Sequence, residues 1–130
     1  MLEGHCHCGA VRWRFTDRLT SVTACNCTIC RRYGALWAYG HEGTAVVLAG
    51  ETRSYAHGRA ADFHFCPTCG CAVAYRDRLP RGDGQRWLVV NLRMITDPAA
   101  IADLPIDHFD GLDSFEDLPH DGRRVADLWF

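Results

Sequence analysis

Eight cysteines give this 130-residue sequence its most distinctive chemistry. The opening residues lack the basic start and apolar run of a signal peptide, so we expect a cytoplasmic protein with reduced thiols. Clustered thiols in a reducing compartment usually hold metal, so the sequence predicts metal binding rather than disulfide bonds. The cysteines form three short-spaced groups, which are Cys6-x-Cys8, Cys25-x-Cys27-x2-Cys30 and Cys66-x2-Cys69-x-Cys71.

Two of these groups suit a closed zinc site. Cys66-x2-Cys69 has the form of a zinc knuckle, in which a tight turn brings two thiolates to one ion about 2.3 Å away. Gly70 can adopt the positive φ that such a turn needs, and backbone N–H groups of the turn can donate to the sulfurs. Cys6 and Cys8, predicted on one face of a strand, supply the other two of four ligands. Buried reduced cysteines are the competing interpretation.

The third group predicts a different kind of site. Cys25, Cys27 and Cys30 lie within six residues, so one loop can give three ligands to a single ion. Structural zinc sites have four protein ligands, whereas catalytic sites have three and keep one position for water or substrate. The loop therefore favours an open, catalytic site. The alternative is a closed site with a fourth ligand drawn from Cys71, His64 and His41. Cys71 is otherwise expected to be a small buried side chain.

Residues next to this loop could bind a ligand. Arg31 and Arg32 follow it directly, and their guanidinium groups could hold the carboxylate of a peptide-like thiol. Pairing with acidic residues near the C-terminus is the alternative. Trp37 alternates with Tyr39 on a predicted strand and could form the wall of a ligand pocket, although such aromatic residues more often belong to the core. Arg31 and Trp37 are the predicted substrate-binding residues.

The charge distribution bears on possible partners. A net charge of −2 gives no general attraction to nucleic acid or to an anionic membrane. No apolar run approaches the ~20 residues of a membrane helix. We therefore predict neither partner, and the sequence leaves the oligomeric state open. Residues 95–130 carry nine acidic and two basic side chains and are expected to fold over the arginine-bearing body. Within them, His108 and Asp110 could form an acid/base pair, but nothing places them near the metal.

Short strands are the elements expected to position these groups. Asp97-Pro98 provides the N-cap and first position of one short helix near 98–104. The rest of the C-terminal segment is expected to be loop and short strand. The fold class is thus mainly β, α+β at most, in a single domain 1–130 with a core of about 4–110 and an acidic C-terminal wrap 111–130. Alternating apolar residues predict strands at 11–15, 20–24, 36–41, 45–49, 53–57, 61–66, 71–76 and 86–92.

Taken together, the cysteine motifs resemble the signature of the glutathione-dependent formaldehyde-activating enzymes, a family that includes centromere protein V. The order and spacing of seven cysteines match, and the resemblance covers residues 4 to about 110. The matching motifs are Cys6-His7-Cys8-Gly9, Cys25-Asn26-Cys27-Thr28-Ile29-Cys30-Arg31 and Phe65-Cys66-Pro67-Thr68-Cys69-Gly70.

This resemblance implies a tent-like fold of small antiparallel β-sheets around two Zn²⁺ ions per chain. It implies that glutathione, a small-molecule thiol, adds to formaldehyde to give S-(hydroxymethyl)glutathione, a reaction classed in reverse as a carbon–sulfur lyase. A zinc-stabilised binding module with two structural ions is the non-catalytic alternative. By position, the resemblance assigns Cys6, Cys8, Cys66 and Cys69 to a structural zinc ion and Cys25, Cys27 and Cys30 to a catalytic one.

Overall fold

Short β-strands arranged in two sheets are the main regular elements of the chain. The structure is a computed structural model that describes residues 1–59 and 61–129. Within these ranges it is mainly β, as predicted. The strands are β1 Leu2–His5, β2 Arg12–Phe15, β3 Val22–Cys25, β4 Trp37–His41, β5 Val46–Ala49, β6 Arg53–His57, β7 Ala61–Phe65, β8 Ala72–Asp77, β9 Trp87–Asn91 and β10 Ile106–Phe109. The helices are α1 Cys30–Tyr33, α2 Val125–Trp129 and two 3-10 helices, Leu92–Met94 and Pro98–Ile101.

One sheet has three strands and the other has seven. The three-stranded sheet has the order β1-β2-β5, and the seven-stranded sheet has the order β10-β3-β4-β9-β8-β7-β6. Neighbouring strands are antiparallel except for β10 and β3, which run parallel with Phe109 opposite Cys25. Parallel neighbours need a long crossover connection, which the sequence pattern does not reveal. This pair brings the end of β10 to the loop that carries three cysteines.

The main hydrophobic core lies between the two sheets. Trp13 and Phe15 of β2 pack in one cluster with Leu88 and Val90 of β9, and each of the four is at most 1% exposed. Burial of one such side chain stabilises the fold by about 1.5–3 kcal/mol. The core therefore fixes the two sheets against each other.

One face of the seven-stranded sheet carries a cluster of aromatic side chains, which we call the aromatic face. The ring centroid of Tyr75 lies 5.0 Å from that of Trp37 and 5.1 Å from that of Phe63. Tilted and edge-to-face contacts of this kind add about 0.5–1.5 kcal/mol to the effect of burial alone. Ile29 and Cys30 pack on the same cluster, so the loop with three cysteines rests on this face.

The first strand was not predicted, and the position predicted for the first cysteine pair is wrong. Cys6 and Cys8 lie in the turn between β1 and β2 rather than on a strand. Glycine is unfavourable inside strands, so Gly4 obscures β1 in the sequence pattern. Packing explains why glycine occupies this position, because a Cβ on Gly4 would lie 2.3 Å from Cζ2 of the Trp13 indole.

The C-terminal part also differs from the prediction. The helix near 98–104 begins where expected, with Asp97 accepting a hydrogen bond from the Ala99 N–H at 3.1 Å, but it is a single 3-10 helix, Pro98–Ile101. A proline disfavours helical geometry in the preceding residue, so Pro105 shortens the element. Helix α2 was not predicted, although Val125 is fully buried in the main core. No helix in the described part of the chain is long and apolar enough to span a bilayer.

Candidate metal centres

Four cysteine sulfurs converge between the two sheets. The Sγ atoms of Cys6, Cys8, Cys66 and Cys69 lie within 4.8 Å of one another. Cys8 Sγ is 3.6 Å from the sulfurs of both Cys6 and Cys66. Two ligands of a tetrahedral ion with 2.3 Å bonds are about 3.8 Å apart, so the spacing fits a zinc ion bound by four sulfurs. All eight cysteines of the chain are free thiols, which leaves them available as ligands. We call this group the four-cysteine site.

The two turns that carry this site share one geometry. Gly9 and Gly70 follow the second cysteine of each pair, and their φ angles are +79° and +78°. The N–H of Gly9 donates to the carbonyl of Cys6, and that of Gly70 to the carbonyl of Cys66, both at 2.9 Å. Only glycine adopts this conformation without strain, so the glycine after each pair fixes the turn.

Backbone N–H groups donate to sulfurs of this site and lower the pKa of two of its thiols, Cys66 and Cys69. The N–H of Val11 donates to Cys6 Sγ at 3.3 Å. The N–H of Cys71, followed by that of Cys8, lowers the pKa of Cys69 to about 5. Hydrogen bonds to a charged form favour that form, so the turn between β7 and β8 prepares its two sulfurs to bind a cation.

The second group occupies residues 25–30, which we call the three-cysteine loop. Strand β3 ends at Cys25 and helix α1 begins at Cys30, with Cys27 between them. Their three Sγ atoms lie within 4.8 Å of one another. Each sulfur accepts an N–H. The backbone N–H groups of Cys27 and Cys30 donate to Cys25 and Cys27, both at 3.4 Å, and the indole N–H of Trp37 donates to Cys30 at 3.3 Å.

The thiols of this loop differ in acidity. A hydrogen bond from Cys30 lowers the pKa of Cys25 to about 6. The same contact, together with burial, raises the pKa of the Cys30 thiol. Cys25 is therefore the first of this pair to become a thiolate, which is the form that binds metal.

None of the three side chains considered as a fourth ligand lies at this loop. Among the described residues, no other His, Cys, Asp or Glu ligand atom lies within 4.8 Å of all three sulfurs. Cys71 is half-buried and lies beside Cys69 of the four-cysteine site. His64 contacts the Thr52 hydroxyl through Nδ1 at 2.9 Å, and His41 packs on a tryptophan of β9 with 4.3 Å between ring centroids. The loop therefore offers three protein ligands.

Residues 110–114, which we call the clamp loop, close over the three-cysteine loop. The Asp110 carboxylate accepts hydrogen bonds from the Asn26 side-chain amide at 3.0 Å and from the N–H and hydroxyl of Ser114 at 3.1 and 2.9 Å. These bonds, led by that from Asn26, lower the pKa of Asp110 to about 2. Because this pKa lies below its ordinary value, Asp110 stabilises the fold above about pH 4 and loses that effect as the pH falls towards 2.

Two further contacts tie the clamp loop to the cysteines. The N–H of Leu112 donates to Asn26 Oδ1 at 3.0 Å. A Cβ on Gly111 would lie 2.7 Å from Cys25 Sγ, so this position has room only for glycine. Sequence reasoning gave no role to Asn26 or Gly111, because the contacts join residues about 85 positions apart. The pairing of His108 with Asp110 is wrong, since His108 Nε2 lies 3.2 Å from Asp121 Oδ2.

The predicted substrate-binding residues occupy different environments. Trp37 is 1% exposed beneath the three-cysteine loop, so its contact with Cys30 makes it a positioning residue. Arg31 and Arg32 are exposed on α1. Within residues 1–59 and 61–129, neither guanidinium lies within 4.0 Å of a carboxylate, so the expected pairing with acidic residues is not observed.

The clamp loop gives a first testable prediction. An Asp110→Ala variant should bind metal at the three-cysteine loop about tenfold or more weakly, because residues that hold a ligand loop contribute this much to metal affinity. The four-cysteine site should be unaffected. Zinc transfer to a chromogenic chelator, measured over a range of chelator concentrations, would resolve the two sites. Asp113→Ala is the matched control, since Asp113 contributes only its backbone N–H to Asp110. Equal weakening by both variants would contradict the role of Asp110.

Comparisons with known proteins agree with this arrangement. The sequence model of the glutathione-dependent formaldehyde-activating enzyme family matches residues 1–104. A Halomonas elongata protein named after the same enzyme is 33% identical over 85 residues, covering 56% of this chain and 54% of that protein. The chain thus spans about half the length of this curated relative. The crystal structure of a Rhodobacter sphaeroides protein aligns with a TM-score of 0.60 and 26% identity over 80% of this chain and 98% of that one.

Proposed function

The chain belongs to the glutathione-dependent formaldehyde-activating enzyme family, and on this premise we propose that it catalyses addition of a small thiol, such as glutathione, to formaldehyde or a related aldehyde. The reverse reaction is that of a carbon–sulfur lyase. The observation that carries the proposal is the three-cysteine loop, where three sulfurs converge without a fourth protein ligand among the described residues. A zinc ion held by these three sulfurs would have one position left for a substrate.

Both cysteine groups have the chemistry of zinc sites. Sulfur-only donor sets at these spacings favour Zn²⁺ over the hard cations, which prefer oxygen. We assign a structural ion to the four-cysteine site and a catalytic ion to the three-cysteine loop, giving two per chain. At the catalytic position, zinc would supply a coordination site at which an incoming thiol is acidified.

Other residues of the chain hold the three cysteine sulfurs and their loop in place. The N–H donors on the three sulfurs, including the Trp37 indole, disperse their negative charge and fix their directions. Asn26 and Asp110 keep the loop in place. In the reaction, a bond forms between the thiol sulfur and the aldehyde carbon while the carbonyl π bond breaks. The proton lost by the thiol is recovered on the former carbonyl oxygen, so no oxidant or reductant is consumed. Positioning of the two reactants is the catalytic contribution.

Two further assignments accompany this proposal. We place the protein in the cytoplasm, a reducing compartment in which its eight thiols would persist. We treat residues 1–130 as one domain, with a core of about 4–110 and a C-terminal wrap of 111–130. The hydrogen bond from the Leu112 N–H to Asn26 and the burial of Val125 support a single domain, since both tie the wrap to the core.

The direct test is an exchange measurement. Zinc-loaded protein is mixed with formaldehyde and glutathione, and magnetisation exchange between free and adduct signals is followed by NMR. We expect faster exchange than without protein, and we expect Cys27→Ser to abolish the acceleration. Cys71→Ser, the same chemical change outside both metal groups, should retain it. A zinc-loaded protein that gives no acceleration would instead be a binding module with two structural ions.

A further inference from the structure

Strand β6, Arg53–His57, forms an open edge of the seven-stranded sheet. It pairs with β7 in a regular antiparallel register, and no other strand lies beside it in the described part of the chain. All five of its residues are exposed. Among the described residues, no backbone hydrogen bond reaches β6 from outside the sheet. Its outer N–H and C=O groups are therefore available to pair with another chain.

The other three sheet edges differ from β6 in this respect. Each accepts a backbone hydrogen bond from a segment outside its sheet. These bonds run to Glu3 of β1 from Thr96 at 2.9 Å, to Val46 of β5 from Gly43 at 2.8 Å, and to His108 of β10 from Leu118 at 2.8 Å. Natural proteins cover their sheet edges or interrupt them with proline or a bulge, because an open edge recruits other strands. β6 has no proline and no bulge, so its edge is suited to binding.

The side chains along this edge favour a partner of opposite charge. Arg53, Tyr55 and His57 share one face of the sheet, since alternate residues of a strand point the same way. Among the described residues, no carboxylate lies within 4.0 Å of the Arg53 guanidinium. β6 contains no acidic residue, and Asp62 of the neighbouring β7 is bound by Arg78 at 2.8 Å. The edge thus offers positive charge that the chain does not neutralise.

A cavity of about 330 Å³ adjoins the same face of β6. It is lined by Thr28, Ile29, Arg32, Tyr55 and His57, none of which is acidic. Arg32 donates through Nη1 to the carbonyl of Thr28 at 2.7 Å, and the other N–H groups of its guanidinium remain for a ligand. A strand added to β6 directs every second side chain towards this face. A carboxylate on such a strand can therefore meet Arg32.

We propose that β6 binds an acidic, extended segment of a partner protein by β-strand addition, with carboxylate side chains at Arg53 and Arg32. Main-chain hydrogen bonds to the open edge would hold the segment, and the two guanidinium groups would select its charge. A second copy of this chain fits less well. Antiparallel pairing of two β6 strands around Tyr55 sets Arg53 of each copy opposite His57 of the other and supplies no carboxylate. The interaction does not depend on the thiol chemistry proposed above.

Three labelled peptides test the proposal on zinc-loaded protein by fluorescence anisotropy. The first alternates glutamate and valine, the second alternates lysine and valine, and the third is the first with every backbone nitrogen methylated. We expect saturable binding of the first with a Kd below about 1 mM. The second and third should bind about tenfold or more weakly, because one reverses the charge and the other lacks N–H donors. Failure of the first peptide to bind, or equal binding of either of the others, would overturn the inference.

Matched variants locate the charge selection. Arg32→Gln and Arg53→Gln should each weaken binding of the acidic peptide about tenfold, as loss of a charge-assisted hydrogen bond would do. Arg14→Gln makes the same change on the three-stranded sheet, at an exposed ion pair with Glu3, and should leave binding unchanged. Equal weakening by all three variants would show a general charge effect and contradict a site at β6.

Amide hydrogen exchange, followed by NMR, shows where the peptide binds. On addition of the acidic peptide, alternate amides of β6 should exchange about tenfold or more slowly, whereas those of β10 at the opposite edge should not change. Binding without this protection would rule out strand addition. Protection of β6 in the absence of peptide, rising with protein concentration alongside a doubled mass in sedimentation, would assign the edge to a second copy and overturn the proposal.

Discussion

A Cys66→Ser variant is expected to be unfolded or nearly so. Cys66 is fully buried, and its sulfur belongs to the group that joins the β7–β8 turn to the β1–β2 turn, one from each sheet. Zinc binding to small sulfur sites contributes about 10–16 kcal/mol. This is comparable to the about 5–15 kcal/mol that stabilises an entire domain. Loss of one ligand therefore removes energy that the folded state needs.

Far-UV circular dichroism and the dispersion of amide proton signals would measure this loss of structure. Cys71→Ser is the matched control, because Cys71 is half-buried beside the four-cysteine site but is not one of its four cysteines. Its backbone N–H, which stabilises Cys69, remains in the serine variant. We expect Cys71→Ser to stay folded. A folded Cys66→Ser protein with unchanged zinc content would show that the four-cysteine site does not stabilise the fold.

A Cys27→Ser variant is expected to stay folded but to lose one of the two proposed metal ions and all measurable catalysis. Cys27 lies in a surface loop between β3 and α1, outside both sheets. Its sulfur contacts the aromatic face rather than the core between the sheets. Removing it should therefore disrupt one metal group while the main core persists.

Elemental analysis of purified protein would show the change in zinc content, and the same spectra used for Cys66→Ser would report the fold. The comparison between the two variants is the decisive measurement. If Cys27→Ser collapses as completely as Cys66→Ser, the three-cysteine loop is a structural site and the catalytic assignment is wrong. If Cys27→Ser retains full zinc content, Cys27 is not a ligand.

Local spacing was sufficient to predict which cysteines meet. The sulfurs of Cys25, Cys27 and Cys30 are close in sequence, so any turn there brings them together. The pairing of the two remaining turns followed from counting four ligands, and the structure brings those sulfurs together as well. The predicted strands also coincide closely with β2 to β9. Successive side chains of a strand point to opposite faces of the sheet, so the sequence alternates with a period of two that can be recognised.

Contacts between distant residues could not be predicted in this way. The Asp110–Asn26 bond depends on the parallel pairing of β10 with β3, which no local pattern indicates. The nearness of Arg32 to Tyr55 and His57 of β6, which line one cavity with it, likewise depends on the packing of distant segments. The sequence placed Arg31 and Arg32 together after Cys30, and we predicted Arg31 as the substrate-binding residue. The structure separates them, because successive residues on a helix point in different directions.

The late position of the clamp loop has a consequence for biosynthesis. All four cysteines of the four-cysteine site have been translated once Cys69 is added to the chain, whereas Asp110 follows 41 residues later. At about 5–20 residues per second, this interval is about two to eight seconds. The nascent chain can therefore complete one metal group and begin to order its sheets before the ribosome supplies the residues that secure the other. Metallation would then be sequential, with the structural ion acquired first.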